Sequence, residues 1–310
     1  MGLRRAVVGG VSWGGLTAAE VAMSAPGRVE ALVLMNTPMD IDGDRPSFGD
    51  RMIAFGARWM AGLKIFRDGV ARSFFAEGLG ANVSVPFKEQ AFALADQLSA
   101  RAQRAGAVNT LLCGKDGRLY GDNTDGVGLV RDLRSQGIEL KNKRILIVGA
   151  GGASRGIIGP IAQELPSSLI ITNRTVGKAE ELVVTFKELT NSIAVDIRAW
   201  SLSQLEQENL LPFDLVMNAS AAGLDRQSPF SELAAKSVFR PNCFAYDLLY
   251  GKTTPFIQQA LERGCRVSDG LGMLVFQAQL AFEVWTGQSP NALETLIKVR
   301  QMLLAKPTQQ

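Results

Sequence analysis

Apolar residues in this chain come in short runs, separated by longer stretches in which they recur every third or fourth position. Short runs bounded by turn residues read as buried strands, and the 3.6-residue period reads as amphipathic helix. The pattern predicts strands over 5–9, 29–35 and 81–86, and again over 144–148, 169–172, 193–198, 215–217 and 244–247. Helices are expected over 14–24, over 88–104, after Gly149, and over the apolar stretch 271–285, with a last one after Ser289-Pro290. Met52, Phe55, Trp59, Leu63 and Phe66 share one helical face and predict another. Segments 109–112 and 118–121 flank Lys115-Asp116-Gly117 and read as a hairpin. Strands alternating with helices throughout imply the α/β class with largely parallel sheets.

A length of 310 residues suits about two domains, and 46% apolar content suits a globular chain. Lys plus Arg (33) nearly balances Asp plus Glu (30), which argues against a nucleic-acid partner. No apolar run reaches the length of a membrane span, and Met1–Ala6 has no apolar core behind its arginines, so neither a membrane partner nor a signal peptide is expected. Cys113, Cys243 and Cys265 are scattered without a C-x-x-C, which fits the reducing cytoplasm and gives no metal site. There is no histidine at all, so mechanisms that need an imidazole base or a histidine ligand are excluded.

The run Arg144-Ile145-Leu146-Ile147-Val148 leads into Gly149-Ala150-Gly151-Gly152-Ala153-Ser154-Arg155-Gly156. Glycines between a strand and a helix let the backbone approach a pyrophosphate, while the helix N-terminus offers N–H groups and a positive dipole. The next strand ends in Asn173-Arg174-Thr175, where an NAD site would carry an acidic residue for the ribose hydroxyl. An arginine and a threonine suit a 2′-phosphate instead. A glycine turn alone is commonplace and a lone arginine is usually a solvated charge; together they point to NADP.

Further segments are more specific. Asn82-Val83-Ser84-Val85-Pro86-Phe87-Lys88-Glu89, Ala107-Val108-Asn109-Thr110, Gly121-Asp122-Asn123-Thr124-Asp125-Gly126, Tyr246-Asp247-Leu248-Leu249-Tyr250 and the stretch 269–282 join the glycine loop and Asn173-Arg174-Thr175 in one order. In order and spacing they resemble the shikimate dehydrogenase family from about residue 76 onward. The resemblance implies a Rossmann-type NADP domain beside a parallel or mixed α/β substrate domain. The implied reaction is reduction of 3-dehydroshikimate to shikimate by NADPH, on the route to chorismate and the aromatic amino acids. It makes Lys88 the proton-transfer residue and Asp125 its partner. With these two, Ser84, Asn109, Tyr250 and Gln277 would bind the substrate; Ser84 stands where the family often has threonine. Gly149, Ala150, Gly151, Gly152 and Ala153, with Asn173, Arg174, Thr175, Val176, Gly177, Lys178, Leu248 and Gly270, would line the cofactor site. Met273 would sit by the nicotinamide or serve as ordinary core packing. Asn218–Gly223 would end a strand at the cofactor edge. Chemically, hydride arriving at a ketone carbon leaves an alkoxide, which an ammonium can stabilise and protonate. A neighbouring carboxylate would also raise the lysine pKa, so the dominant protonation state stays open.

The first 75 residues read differently. The Ser-x-Ser pair with which the family holds the substrate carboxylate is not found there. Instead, Gly10-Val11-Ser12-Trp13-Gly14 follows a strand and, with the strand 28–38, resembles the nucleophile elbow of α/β-hydrolases. Hydrolysis does not follow, because that chemistry needs a base and the chain has no histidine. Ser12 reads as a turn residue, and the chain reads as a fusion. Its β-α-β-α order matches the part it replaces. The expected domains are 1–124 for substrate, 125–268 for NADP, and 269–310 returning to the first. Turnover is expected to be impaired by the missing anchor. The alternatives are an NADP-binding fusion without turnover and, last, a serine hydrolase. A homodimer is compatible with the sequence, which does not separate shikimate from quinate.

Overall fold

The computed structural model describes residues 6–11, 29–35, 80–83, 87–114, 116–207, 209–220, 222 and 227–305. Its contacts divide the chain into two compact units, Met1–Thr124 with Gln277–Thr295, and Asp125–Phe276 with Leu296–Gln310. The expected helices at 14–24 and 52–66, with Ser12 and Trp13, lie outside the described residues.

In the first unit, β1 (Ala6–Val11) and β2 (Val29–Met35) pair in parallel, and β1 lies beside β3 (Gly80–Asn82). A four-stranded sheet runs in the order β3-β5-β6-β4. Its strands β5 (Thr110–Cys113) and β6 (Leu119–Asp122) form the antiparallel hairpin. The single helix expected over 88–104 is broken into α1 (Lys88–Leu94), the short strand β4 (Gln97–Leu98) and α2 (Ala100–Ala105). Two local bonds explain the break. The Asp96 carboxylate accepts from the Leu119 N–H at 2.9 Å, pulling the chain onto β6, and Ser99 Oγ caps α2 by accepting from Ala102 N at 3.1 Å.

The second unit begins with α3 (Asp125–Ser135). The strands β7 (Arg144–Val148), β8 (Ser168–Thr172), β9 (Asp196–Trp200), β10 (Leu215–Asn218), β11 (Phe244–Asp247) and β12 (Arg266–Asp269) then follow in the chain. They form one sheet ordered β12-β11-β10-β7-β8-β9, and every neighbouring pair is parallel. Counted within the unit this is the 3-2-1-4-5-6 arrangement of dinucleotide-binding folds. Alternation within β7 divides the core. Ile145 and Ile147 pack with Leu129 and Leu133 of α3, Ile157 and Ile161 of α4 (Gly152–Gln163), and Leu182 and Phe186 of α5 (Val176–Ser192). Leu146 and Val148 face the other way, toward Val238 of α6 (Glu232–Val238) and Phe256 of α7 (Pro255–Glu262). Each such side chain contributes about 1.5–3 kcal/mol on burial. Where α3 crosses α4, a Cβ added at Gly126 would stand 2.4 Å from the Gly156 carbonyl oxygen, so the two backbones touch.

The strand expected at 193–198 starts later, at Asp196. Ile193 is the C-cap of α5, Ala194 turns at φ 55°, and the Val195 N–H returns to the Thr190 carbonyl at 2.9 Å. The long helix α8 (Leu271–Thr286) opens in the second unit and closes in the first, where Trp285 donates from Nε1 to the Leu111 carbonyl at 2.9 Å. A Cβ on Gly80 would lie 2.3 Å from that indole, so strand and ring meet without a side chain between them. The chain ends in α9 (Ala292–Ala305), whose first turn is capped by Asn291 Oδ1 accepting from Glu294 N at 3.2 Å. Among the described residues, no helix is long and apolar enough to cross a membrane.

Candidate active site

Ligands of open parallel sheets gather outside the carboxyl ends of the strands. At that edge of the second unit, β7 runs into Gly149, whose φ is +108° and whose missing Cβ would stand 2.9 Å from the Ala219 carbonyl. Both facts require glycine there. Gly151 and Gly152 differ, since a Cβ at either would meet nothing within 4 Å. Their backbone is open to approach at the start of α4, with Gly151 as N-cap and Ala153 in the first turn. Ser154 is buried and donates to the Gly149 carbonyl at 2.7 Å, which locks the loop onto its helix. At the end of β8, Asn173 donates from Nδ2 to the Thr175 carbonyl at 2.9 Å, and Thr175 is the N-cap of α5. Arg174 and Lys178 are exposed at this turn, beside Val176 and Gly177, and the first turn of α5 holds no acidic residue. These residues fit a dinucleotide with a charged 2′ substituent. The glycines leave the pyrophosphate room, and the β8 turn offers cations where a carboxylate would repel phosphate.

The adjoining strand ends are tied together by buried polar groups. Asp247 accepts from Asn218 Nδ2 at 3.1 Å, from the Leu249 N–H at 3.1 Å and from the Thr254 hydroxyl. Burial pushes this carboxyl above its ordinary range, against the pull of those hydrogen bonds. Asn218 Oδ1 in turn accepts from the N–H and hydroxyl of Ser220 at 3.1 and 2.6 Å. The Leu248 N–H bonds the Asn218 carbonyl at 2.9 Å. Gly270 packs so closely that a Cβ would lie 2.1 Å from the Leu248 oxygen. Met273, 9% exposed, belongs to the core of this unit.

In the first unit the structure brings Asn109, Thr124 and Gln277 together. Asn109 Oδ1 accepts from the Thr124 N–H at 2.9 Å, and its Nδ2 donates to Thr124 Oγ1 at 2.9 Å and to Gln277 Oε1 at 3.2 Å. All three are buried, so the amides are held in fixed orientation. Lys88 opens α1, half-buried, and its carbonyl accepts from the Val108 N–H at 2.9 Å. Asp125 is the first residue of α3 and is 5% exposed. Tyr250 follows β11, half-buried, and burial pushes its phenol up. Ser84 lies outside the described residues. Thr124 is not among the residues singled out by sequence, although its motif is; a hydroxyl next to Asp125 is the available signal. Among the described residues, no group of His, Cys, Asp or Glu could hold a metal.

A six-stranded sheet in this order with a glycine turn at its central strand, together with a separate mixed sheet, defines a two-unit α/β protein of the dinucleotide-binding class. Three family models match the chain. They are the shikimate dehydrogenase substrate binding domain over residues 66–111, shikimate / quinate 5-dehydrogenase over 132–225, and the shikimate 5′-dehydrogenase C-terminal domain over 270–294. The chain is 44% identical over 240 residues to the shikimate dehydrogenase (NADP(+)) of Psychromonas ingrahamii, covering 77% of this chain and 84% of that protein. It is 46% identical over 235 residues to the protein of the same name from Aeromonas hydrophila, covering 75% and 82%. Among solved structures, the Thermus thermophilus shikimate 5-dehydrogenase in complex with NADP(H) and shikimate matches with a TM-score of 0.70 at 31% identity, over 96% of this chain and 99% of that one. The chain belongs to the shikimate dehydrogenase family. The hydrolase resemblance of residues 3–75 gains no support from any of these matches.

Proposed function

We propose that the chain reduces 3-dehydroshikimate to shikimate with NADPH, the reaction that leads toward chorismate and the aromatic amino acids. The observation that carries this reading is the 44–46% identity, over about three-quarters of the chain, to proteins named for that activity. Residues 125–268 form the cofactor domain, and 1–124 with the returning 269–310 form the substrate domain. NADPH, when bound, supplies the hydride for the ketone carbon. Lys88 holds the developing alkoxide and delivers the proton to it, and Asp125 orients the lysine and a substrate hydroxyl. Ser84, Asn109, Tyr250 and Gln277 bind the remaining polar groups of the substrate. Thr124 joins them by fixing the Asn109 amide, so that little reorganisation is left for the moment of reaction. Arg174 takes the 2′-phosphate with Asn173, Thr175 and Lys178 around it, while Val176 and Gly177 start the helix behind. Gly149 to Ala153, Leu248, Gly270 and Met273 line the rest of the cofactor. Three buried cysteines suit a reducing compartment, the cytoplasm.

A second reading, NADP binding without turnover, is favoured by one observation: the model for the substrate binding domain matches only from residue 66. The first residues do not supply the expected Ser-x-Ser anchor, and two lost hydrogen bonds to a carboxylate would cost about 3–6 kcal/mol. Steady-state reduction of dehydroshikimate and NADPH affinity, measured on the same protein, separate the readings. Turnover with NADPH supports the first. Tight NADPH binding with kcat/KM lower by roughly 10²–10⁴ than that of a relative supports the second. Absence of both overturns both.

A further inference from the structure

Helix α8 opens among glycines. The residue before it is Gly270, and its second residue is Gly272, so neither position offers a side-chain acceptor to the free N–H groups of the first turn. Local capping is sterically barred as well. A Cβ at Gly270 would stand 2.1 Å from the Leu248 oxygen, and one at Gly272 would stand 2.0 Å from Asp132 Oδ1. The acceptor comes instead from β11. The Met273 N–H donates to the Tyr246 hydroxyl at 3.3 Å, and that hydroxyl donates to Asp132 Oδ2 at 2.7 Å. Gln136 Nε2 donates to the same carboxylate oxygen at 3.1 Å, and Asp132 is 0% exposed. Its other oxygen, Oδ1, has no hydrogen-bond partner among the described residues and lies against the glycine of the opening turn. A buried carboxylate with one oxygen unsatisfied is costly and calls for an explanation beyond packing. The positive end of a helix is the environment in which such a group is tolerated.

We propose that Asp132 and Tyr246 are positioning residues for the cofactor: they cap α8 from outside and so set its first turn, with Gly270 and Met273, against Leu248 at the carboxyl edge of the sheet. The proposal rests on the NADP reading of that edge. The tyrosine is suited to the task because a phenol hydroxyl accepts one bond and donates another along one line. Asp132 gives that line its direction, since an acceptor on one side leaves the hydroxyl oxygen free to receive Met273. The same helix α3 carries Asp125 at its first residue, so one rigid element serves both the proposed catalytic carboxylate and the cofactor cap.

The test compares the parent with Tyr246→Phe, Asp132→Ala and Asp132→Asn. It reads NADPH affinity by fluorescence, KM for NADPH, KM for dehydroshikimate, and Tm. Tyr246→Phe and Asp132→Ala are expected to weaken NADPH binding and raise its KM about tenfold, the loss of one hydrogen bond to a charged group. KM for dehydroshikimate should stay within about twofold. Asp132→Asn keeps an acceptor for the tyrosine and should retain the parental KM for NADPH. Should Tyr246→Phe fail to fold, the contrast between alanine and asparagine at 132 decides. Lowered Tm with parental NADPH constants would make the pair merely structural and overturn the proposal, as would equal losses in Asp132→Asn and Asp132→Ala. A parent that does not bind NADPH at all would overturn the functional reading itself, and this proposal with it.

Discussion

The two sheets were built by different rules. In the second unit, β7, β8, β10 and β11 are nearly continuous apolar runs, buried on both faces and flanked by helices. In the first unit the strands β3 to β6 are two to four residues long, β5 mostly buried and the others largely half-buried, and polar contacts help to set their places. Asp122 shows the difference. It accepts from Ser99 and from both Nε and a terminal nitrogen of Arg101. The lesson is that one unit is held by a pattern and the other by particular pairs. Substitutions should therefore separate them.

The largest expected effect tests the first unit alone. Lys88→Ala should lower kcat by about 10²–10⁴ while NADPH affinity, which the proposed function assigns to the second unit, stays at the parental value. Parental kcat would remove Lys88 from the mechanism, and lost NADPH binding would mean that the units are not separable. Next in size is Trp285→Ala, which removes a buried indole and its bond to Leu111. Calorimetry should show the first unit less stable by about 3–5 kcal/mol, with cofactor binding retained; a single unchanged transition would contradict it. The converse is Arg174→Ala. It should remove most of the preference for NADPH over NADH, about 1.5–3 kcal/mol, and leave NADH binding alone. Equal affinity of the parent for the two cofactors would end that argument.

The smallest effect is in pH dependence, and its sign should differ between the units. Burial pushes Asp122 up, but the hydrogen bonds from Arg101 and Ser99 outweigh it and leave the carboxyl below its ordinary 3.8. Its stabilisation is present above that value and lost as pH falls through the lower folded value. For Asp132 burial wins over Tyr246 and Gln136, and for Asp247 it wins over Thr254, Leu249 and Asn218, so both lie above 3.8. Their contribution is full below 3.8 and is lost as pH rises through the raised folded values. Acidification should thus weaken the first unit before the second, and Asp132→Asn should flatten the second unit's profile. Unfolding monitored across this range, unit by unit, checks the order.

What could be read in the sequence follows the same division. The run Arg144–Val148 and its glycine turn fixed an expectation because apolar continuity and φ freedom are local properties. The break between α1 and α2 was hidden, because Asp96 finds Leu119 and Ser99 finds Asp122 only after the chain has folded back. The cluster of Asn109 and Gln277 was reached by resemblance, not by pattern, since 168 positions separate its members. Tyr246 and Asp132, 114 positions apart, were missed for the same reason, and each looked like an ordinary member of its element. The start of β9 was misjudged because Ile193 is apolar for the sake of the helix it ends.

Gly156 belongs to the glycine-rich loop by sequence, yet it faces Gly126 rather than the open edge. At the crossing Gly126 meets the Gly156 carbonyl and the Pro160 ring, neither of which has a rotamer to change. The crossing works as a gauge block: the first turn of α3, where Asp125 stands, keeps a constant offset from the glycine-rich loop.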